Sequence, residues 1–147
     1  MPLPRSRPVS SYIGFACFAL ATLAPATSAL AGTAVLHVPT DYPTIQEAVD
    51  AAAAGDEILL APGVYGHSQD GTYLATIQDK QLTLRGTGAP EDTVLQNEND
   101  EWGSVGGIKL IRAGDTVLEN LTLANMSMES VASVDSSPSI DNCHFLS

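Results

Sequence analysis

The sequence predicts an all-β chain, a parallel β-helix (solenoid) closed at its N-terminus by one capping α-helix. Three observations predict it. Many short strand-like segments follow one another after residue 56, none of them long. Like positions in those segments recur at roughly 22–24 residues, with one longer interval. A single amphipathic helix precedes the strands and no second one appears, so the alternation of strand and helix that marks a doubly wound sheet is missing.

The first 31 residues read as a secretory signal. Arg5 and Arg7 give a basic start, Tyr12 to Leu23 is an uncharged apolar run, and Ala29-Leu30-Ala31 is a small-x-small cleavage site. The apolar run falls short of the roughly 20 residues that span a bilayer, so no membrane span is expected in the mature chain. A lipoprotein anchor at Cys17 is disfavoured, because Gly14 stands where a large aliphatic is needed. The expected location is outside the cytoplasm: secreted, periplasmic or on the cell surface. The mature chain then begins at Gly32, and residues 32–147 form the β-helix domain.

Cleavage sharpens the charge. Lys80, Arg85, Lys109 and Arg112 are the four cations left against 17 acidic residues, a net charge of −13 with histidine neutral. Such a surface excludes nucleic acid and anionic membrane as partners, because phosphate contacts need clustered Lys and Arg. Cys143 is then the one cysteine of the mature chain, so no intrachain disulfide is available to it.

Residues 34–38 read as a short strand ended by Pro39, with a turn at Asp41-Tyr42-Pro43. Thr44-Ile45-Gln46-Glu47 is a capping box. Ile45, Ala48, Val49 and Ala52 make one apolar stripe at helical spacing. Gly55 lies where a left-handed residue stops a helix, so a helix is expected over 44–54. Strands are expected at 57–60, 73–77, 81–84, 93–95, 108–111, 116–118, 121–123, 131–134 and 139–145.

Aligning Leu60, Leu84, Leu118 and Ile140 gives intervals of 24, 34 and 22 residues. The long interval contains an inserted loop, residues 97–107. The last two copies match best: Leu118–Leu123 lies over Ile140–Phe145. In a parallel β-helix each coil adds a strand to each sheet, and like positions stack about 4.8 Å apart. Leu121 and Leu123 over Cys143 and Phe145 then face inward, Thr122 and His144 face out, and Asn120 over Asn142 forms an amide pair at a turn. The helix covers the open first coil. The last coil is expected to leave an unpaired edge at 139–145, prone to self-association or fraying.

These residues also carry a resemblance. The segment VPTDYPTIQEAVDAAAAGDEILLAPGVY at 38–65 resembles the N-terminal segment of right-handed parallel β-helix proteins of the pectin-lyase-like superfamily. SPSIDNCHF at 137–145 resembles their repeated coil motif. The resemblance implies a right-handed β-helix and leaves the activity open, since the superfamily spans pectate lyases, pectin methylesterases, polygalacturonases, metal-loading proteins and surface proteins. Its enzymes place catalytic residues on later coils, and no complete catalytic constellation lies in these residues. The expected function is an exported structural or carbohydrate-binding module. The alternative is the N-terminal part of a polysaccharide-active enzyme of lyase, esterase or glycosidase type, with its active site beyond residue 147. The chain stops within or just after its fourth coil, so truncation at the C-terminus is the expectation.

Candidate site residues cluster in the inserted loop. Glu98, Asp100 and Glu101 offer oxygen ligands suited to Ca²⁺; a solvated acidic insertion is the competing reading. Trp102 offers a flat face on which a sugar can stack, or an anchor for the loop. His37, His67 and His144 share no spacing that defines a metal site. Polysaccharide is the expected partner class. Asn120-Leu121-Thr122 and Asn125-Met126-Ser127 are glycosylation sequons, meaningful only in a eukaryotic secretory pathway.

Overall fold

The computed structural model describes residues 32–66, 73–96, 106–126 and 128–147. Its elements in chain order are β1 (Val35–Val38), α1 (Ile45–Ala51), β2 (Glu57–Leu60), β3 (Gly63–Tyr65), β4 (Tyr73–Gln78) and β5 (Thr83–Gly86). A 3₁₀ turn at Pro90–Asp92 leads to β6 (Thr93–Gln96), β7 (Gly106–Gly114), β8 (Val117–Glu119) and β9 (Thr122–Ala124). The chain ends with β10 (Val131–Ser136), β11 (Ser139–Asp141) and β12 (His144–Leu146).

The strands build three sheets visited in rotation. A five-stranded sheet has the order β1-β2-β5-β8-β11, a four-stranded sheet β3-β6-β9-β12, and a three-stranded sheet β4-β7-β10. Every pairing is parallel. This is the expected parallel β-solenoid. Parallel neighbours cannot be joined by a hairpin; here β1 reaches β2 through α1, and each later crossover is a walk through the other two sheets.

Alternation within each strand sends every second side chain inward. On the five-stranded sheet Leu36, Ile58, Leu84, Leu118 and Ile140 are in register. Ile58, Leu84 and Leu118 are fully buried. Ala75 and Ile77 lie under Ile108 and Leu110 on the three-stranded sheet, and all four are buried. Leu95 under Leu123 does the same on the four-stranded sheet. Each fully buried Leu or Ile contributes about 1.5–3 kcal/mol, and each needs a turn above and below it.

The register corrects the expected alignment in one place. Ile58, not Leu60, stacks on Leu84, while Leu60 stacks on Gly86. Both residues point inward, so a slip of two keeps every face correct and the hydrophobic pattern cannot detect it. Gly86 is required at its position, because a Cβ there would collide with the Asn120 carbonyl. The strand expected over 139–145 is two strands, broken at Asn142, whose φ is 48°. Thr122 is also not on the surface. It is buried, and its hydroxyl donates to the Pro90 carbonyl at 2.9 Å in the 3₁₀ turn that covers it.

The helix is shorter than its pattern. Thr44 caps it, accepting from Glu47 N at 3.2 Å, but it ends at Ala51 and not at Ala54. Gly55, at φ 92°, serves the following turn into β2 instead, and its N–H donates to the Gln81 carbonyl at 2.8 Å. Asp56 is buried and accepts from Ala34 N at 2.9 Å and Ala53 N at 2.7 Å, which ties that turn to the start of β1. Lys80, one turn later, donates from Nζ to the carbonyls of Val49 and Ala52 and so satisfies the helix C-terminus.

α1 stands where a strand would otherwise precede β4. Ile45, Ala48, Val49 and Ala52 face the core and are buried. Gln46 then does what a neighbouring strand would do. Its Oε1 accepts from Thr76 N at 2.8 Å and its Nε2 reaches the Thr76 carbonyl at 3.3 Å. The outer edge of β4 is closed by a side-chain amide. Gln46→Ala is therefore expected to cost about 1–3 kcal/mol, because it leaves partly buried edge groups unpaired. Urea denaturation would measure it, with faster exchange of the Thr76 amide as the local signature. A loss below about 0.5 kcal/mol, within the usual range of an inert surface change, would mean that the apolar stripe alone holds the edge.

Candidate functional site

The outward positions of the solenoid form ladders, and three of them carry chemistry. On the five-stranded sheet the outward rungs run Glu57, Thr83, Val117, Ser139 in one file and Leu59, Arg85, Glu119, Asp141 in the next. Rungs in such a sheet lie about 4.8 Å apart. Arg85 and Glu57 form an ion pair across the two files. Glu119 and Asp141, directly opposite each other, then bring two carboxylates together with no cation between them. The Ser139 hydroxyl donates to Asp141 Oδ2 at 3.2 Å. The face offers carboxylate acceptors, hydroxyls and one guanidinium in a flat, regular array.

The second ladder runs along a bend that follows β4 and falls within the last residues of β7 and β10, where their register shifts. Asp79, Arg112 and Asp135 follow Gln78, Ile111 and Val134, which are in register, and all three adopt the left-handed conformation, φ 57°, 47° and 51°. Asp79 N donates to the Ile111 carbonyl of the next turn at 3.0 Å. Arg112 donates from Nε to Asp79 Oδ1 at 2.6 Å and from Nη2 to Oδ2 at 3.0 Å, a bidentate pair. Charges alternate up this corner: negative, positive, negative.

The corner after the five-stranded sheet uses amides in the same way. Asn120 and Asn142 are both left-handed, at φ 55° and 48°. Asn142 Nδ2 donates to Asn120 Oδ1 at 2.8 Å, and Asn120 N donates to the Asp141 carbonyl at 3.1 Å. The expected amide pair is thus present. Asn120 Oδ1 is thereby taken as an acceptor, and Thr122 of the first sequon is buried.

A groove of about 280 Å³ opens between the loop after β1 and strand β3. Pro39, Pro43, Ile45, Pro62, Val64 and Leu74 line it beside the Tyr65 ring. The Tyr65 hydroxyl is already engaged, 2.7 Å from the Ala61 carbonyl and 3.2 Å from that of Val38. Burial pushes its pKa up, so the phenol stays a donor. The groove is lined about equally by polar and apolar surface, Thr44 included, and carries no carboxylate, histidine, lysine or arginine among its lining residues.

The residues singled out in the sequence are scattered or out of view. Glu98, Asp100, Glu101, Trp102 and His67 lie outside the described residues. His37 is on β1 and His144 on β12, in different sheets and at opposite ends of the stack. Both are exposed. Among the described residues no three His, Cys, Asp or Glu side chains gather in a way that holds a metal ion. Cys143 is half-buried, and burial pushes its thiol up, away from the reactive thiolate. The Asp79–Arg112–Asp135 ladder was missed. Its signal is an ionisable residue two places after an inward one (Ile77, Leu110, Ser133), visible only once the register across the inserted loop is known.

These features define a parallel β-solenoid with polar outward ladders and a helix along the β4 edge at its N-terminal end. No family model, no curated protein and no solved structure matches the chain. Among the described residues no helix is long and apolar enough to cross a membrane.

The bidentate pair sets an acid dependence. The Arg112 guanidinium beside Asp79, with the Gln78 amide as a second donor, holds the Asp79 carboxyl below its ordinary value. A carboxylate with a depressed folded-state pKa contributes stability above its unfolded value, about 3.9, and loses it as pH falls through the folded value. Both side chains are more than half exposed, so the contribution is small. The stability gap between wild type and Asp79→Ala should therefore be constant above about pH 5 and shrink below about pH 4. Urea midpoints across that range would show it, and a gap unchanged at low pH would remove the pair from the account.

Proposed function

We propose that this chain is an exported β-solenoid module with a structural or carbohydrate-binding role, related to the right-handed β-helices of the pectin-lyase-like superfamily. One observation supports it: the flat outward face of the five-stranded sheet. Glycans present hydroxyls that both donate and accept. Glu57, Glu119 and Asp141 accept, Arg85 donates, and Thr83 and Ser139 do both. These groups are spread over four rungs about 4.8 Å apart, with Leu59 and Val117 interrupting the two files. The surplus of carboxylates opposes a polyuronate and favours a neutral polysaccharide. Affinity electrophoresis in gels containing neutral xylan or polygalacturonate tests this. Xylan should retard the protein, and the Arg85→Ala/Glu119→Ala double variant should lose about tenfold in affinity, or about 1.4 kcal/mol. Equal mobility with and without either glycan would end the carbohydrate reading and leave the structural one.

A second reading has its own support. The last turn carries its inward side chains in the open, with Ile140 42% and Phe145 50% exposed over fully buried Leu118 and Leu123. A further turn stacked there would bury them. On this reading the chain is the N-terminal part of a polysaccharide-active enzyme whose active site lies on turns beyond residue 147. The intact mass of the native extracellular protein tests both export and length. A chain starting at Gly32 is expected. A mass above that of residues 32–147 would select the enzyme reading, and retention of residues 1–31 would overturn cleavage.

A further inference from the structure

The first turn of the solenoid lacks one of its strands. In each later turn a strand of the five-stranded sheet is followed by one of the four-stranded sheet: β2 by β3, β5 by β6, β8 by β9 and β11 by β12. β1 is followed instead by residues 39–44 and then α1. The sequence explains the omission. Pro39 and Pro43 have no N–H to give to a ladder. Between them the chain curls back on β1: Asp41 N and Tyr42 N donate to the His37 carbonyl at 2.8 and 3.2 Å, and Asp41 Oδ2 accepts from His37 N at 3.0 Å. Among the described residues no backbone hydrogen bond joins residues 39–45 to residues 62–66. β3 pairs with β6 on one side, and its other edge is a wall of the groove between these two segments. The gap is internal, with both walls drawn from one continuous stretch of chain.

The chemistry of the walls describes what fits. About half of the lining surface is polar, yet Thr44 and Tyr65 bring the only polar side-chain atoms among the lining residues. Thr44 Oγ1 accepts from Glu47 N, and the Tyr65 hydroxyl lies against two carbonyls. The polar surface is therefore mainly main chain. Pro39, Pro43 and Pro62 contribute carbonyls without N–H groups, so acceptors outnumber donors. An unpaired strand edge between apolar side chains is matched by another strand, whose amides alternate at the same spacing.

The surroundings are acidic. Residues 32–66 contain five carboxylates and no lysine or arginine. Asp41 stands between Pro39 and Pro43, and Glu47 stands two residues beyond Ile45; both are exposed. Two copies of this chain joined edge to edge here would bring the same carboxylates together, which like charges oppose.

We propose that the groove beside β3 docks an extended segment of a separate polypeptide, which adds the missing strand of the first turn and carries lysine or arginine at its flanks. It uses none of the residues assigned to glycan contact. Three acetylated, fluorophore-labelled peptides test it by anisotropy against the intact chain. The first alternates valine and threonine between two terminal lysines, the second replaces the lysines with glutamates, and the third is the lysine peptide methylated at every backbone nitrogen between its ends.

The lysine peptide should bind, the glutamate peptide at least tenfold more weakly, and the methylated peptide not at all. A Cβ at Gly63 meets nothing closer than the Tyr65 ring at 3.9 Å, so Gly63→Leu fills the groove at ordinary contact distance. It should weaken the lysine peptide about tenfold with the thermal midpoint unchanged, and Asp41→Asn/Glu47→Gln should remove the preference for lysine over glutamate. No binding of the lysine peptide, or binding that survives backbone methylation, overturns the strand assignment. Equal binding of the lysine and glutamate peptides overturns the charge assignment alone. Binding only after residues 1–31 are removed makes that segment the occupant, and a dimer abolished by Gly63→Leu makes a second copy the occupant; either overturns the proposal.

Discussion

A turn of this molecule buries its inward side chains only when something covers both of its sides. Ile58, Leu84 and Leu118 are fully buried because each has a rung on both sides, and the backbone bonds between rungs run the same way. Nothing in a solenoid closes the stack from within. The constraint therefore passes to the two ends, and the chain treats them differently. At the front α1 supplies an apolar stripe for the core, and Gln46 supplies an amide for the edge of β4. Lys80 in turn satisfies the carbonyls at the end of α1. On the last described turn the inward Ile140 and Phe145 are exposed.

The corners answer a different constraint. A chain that turns from one sheet to the next in one or two residues must leave the extended region, and the left-handed region is the tight way to do it. Asn and Asp tolerate that conformation because their short polar side chains bond locally. Asn120, Asn125, Asn142, Asp79 and Asp135 all stand there. Arg112 is the exception, and it sits between two aspartates, one of which it grips with two hydrogen bonds. The corners thus convert a conformational need into ladders of hydrogen bonds and charge. Those ladders are also the features that a partner would read.

Much of the fold was legible because a solenoid repeats its physics. The cap at Thr44, the stripe from Ile45 to Ala52 and the stacking of Leu118–Leu123 under Ile140–Phe145 each follow from a pattern that admits one solution. The two-residue slip at Leu60 was illegible because Ile58 and Leu60 share a face. Thr122 was misplaced because strand alternation says which way a side chain points and not what lies over it; the Pro90–Asp92 turn does. The candidate site was less legible than the fold. The inserted loop drew attention through its composition, whereas the ladders arise from residues 22 to 34 positions apart, which only the register brings together.

The inward rungs of the five-stranded sheet, Leu36, Ile58, Leu84, Leu118 and Ile140, are separated by 22, 26, 34 and 22 residues, yet they stack one on the next. Chain length is stored outside the stack and rung height inside it, and the two vary independently. Lengthening a loop between rungs costs only closure entropy, about 0.6 kcal/mol for each doubling. The solenoid is in that sense a ruler with blank spaces between its marks: loops of quite different length and chemistry can be written at fixed intervals along one axis.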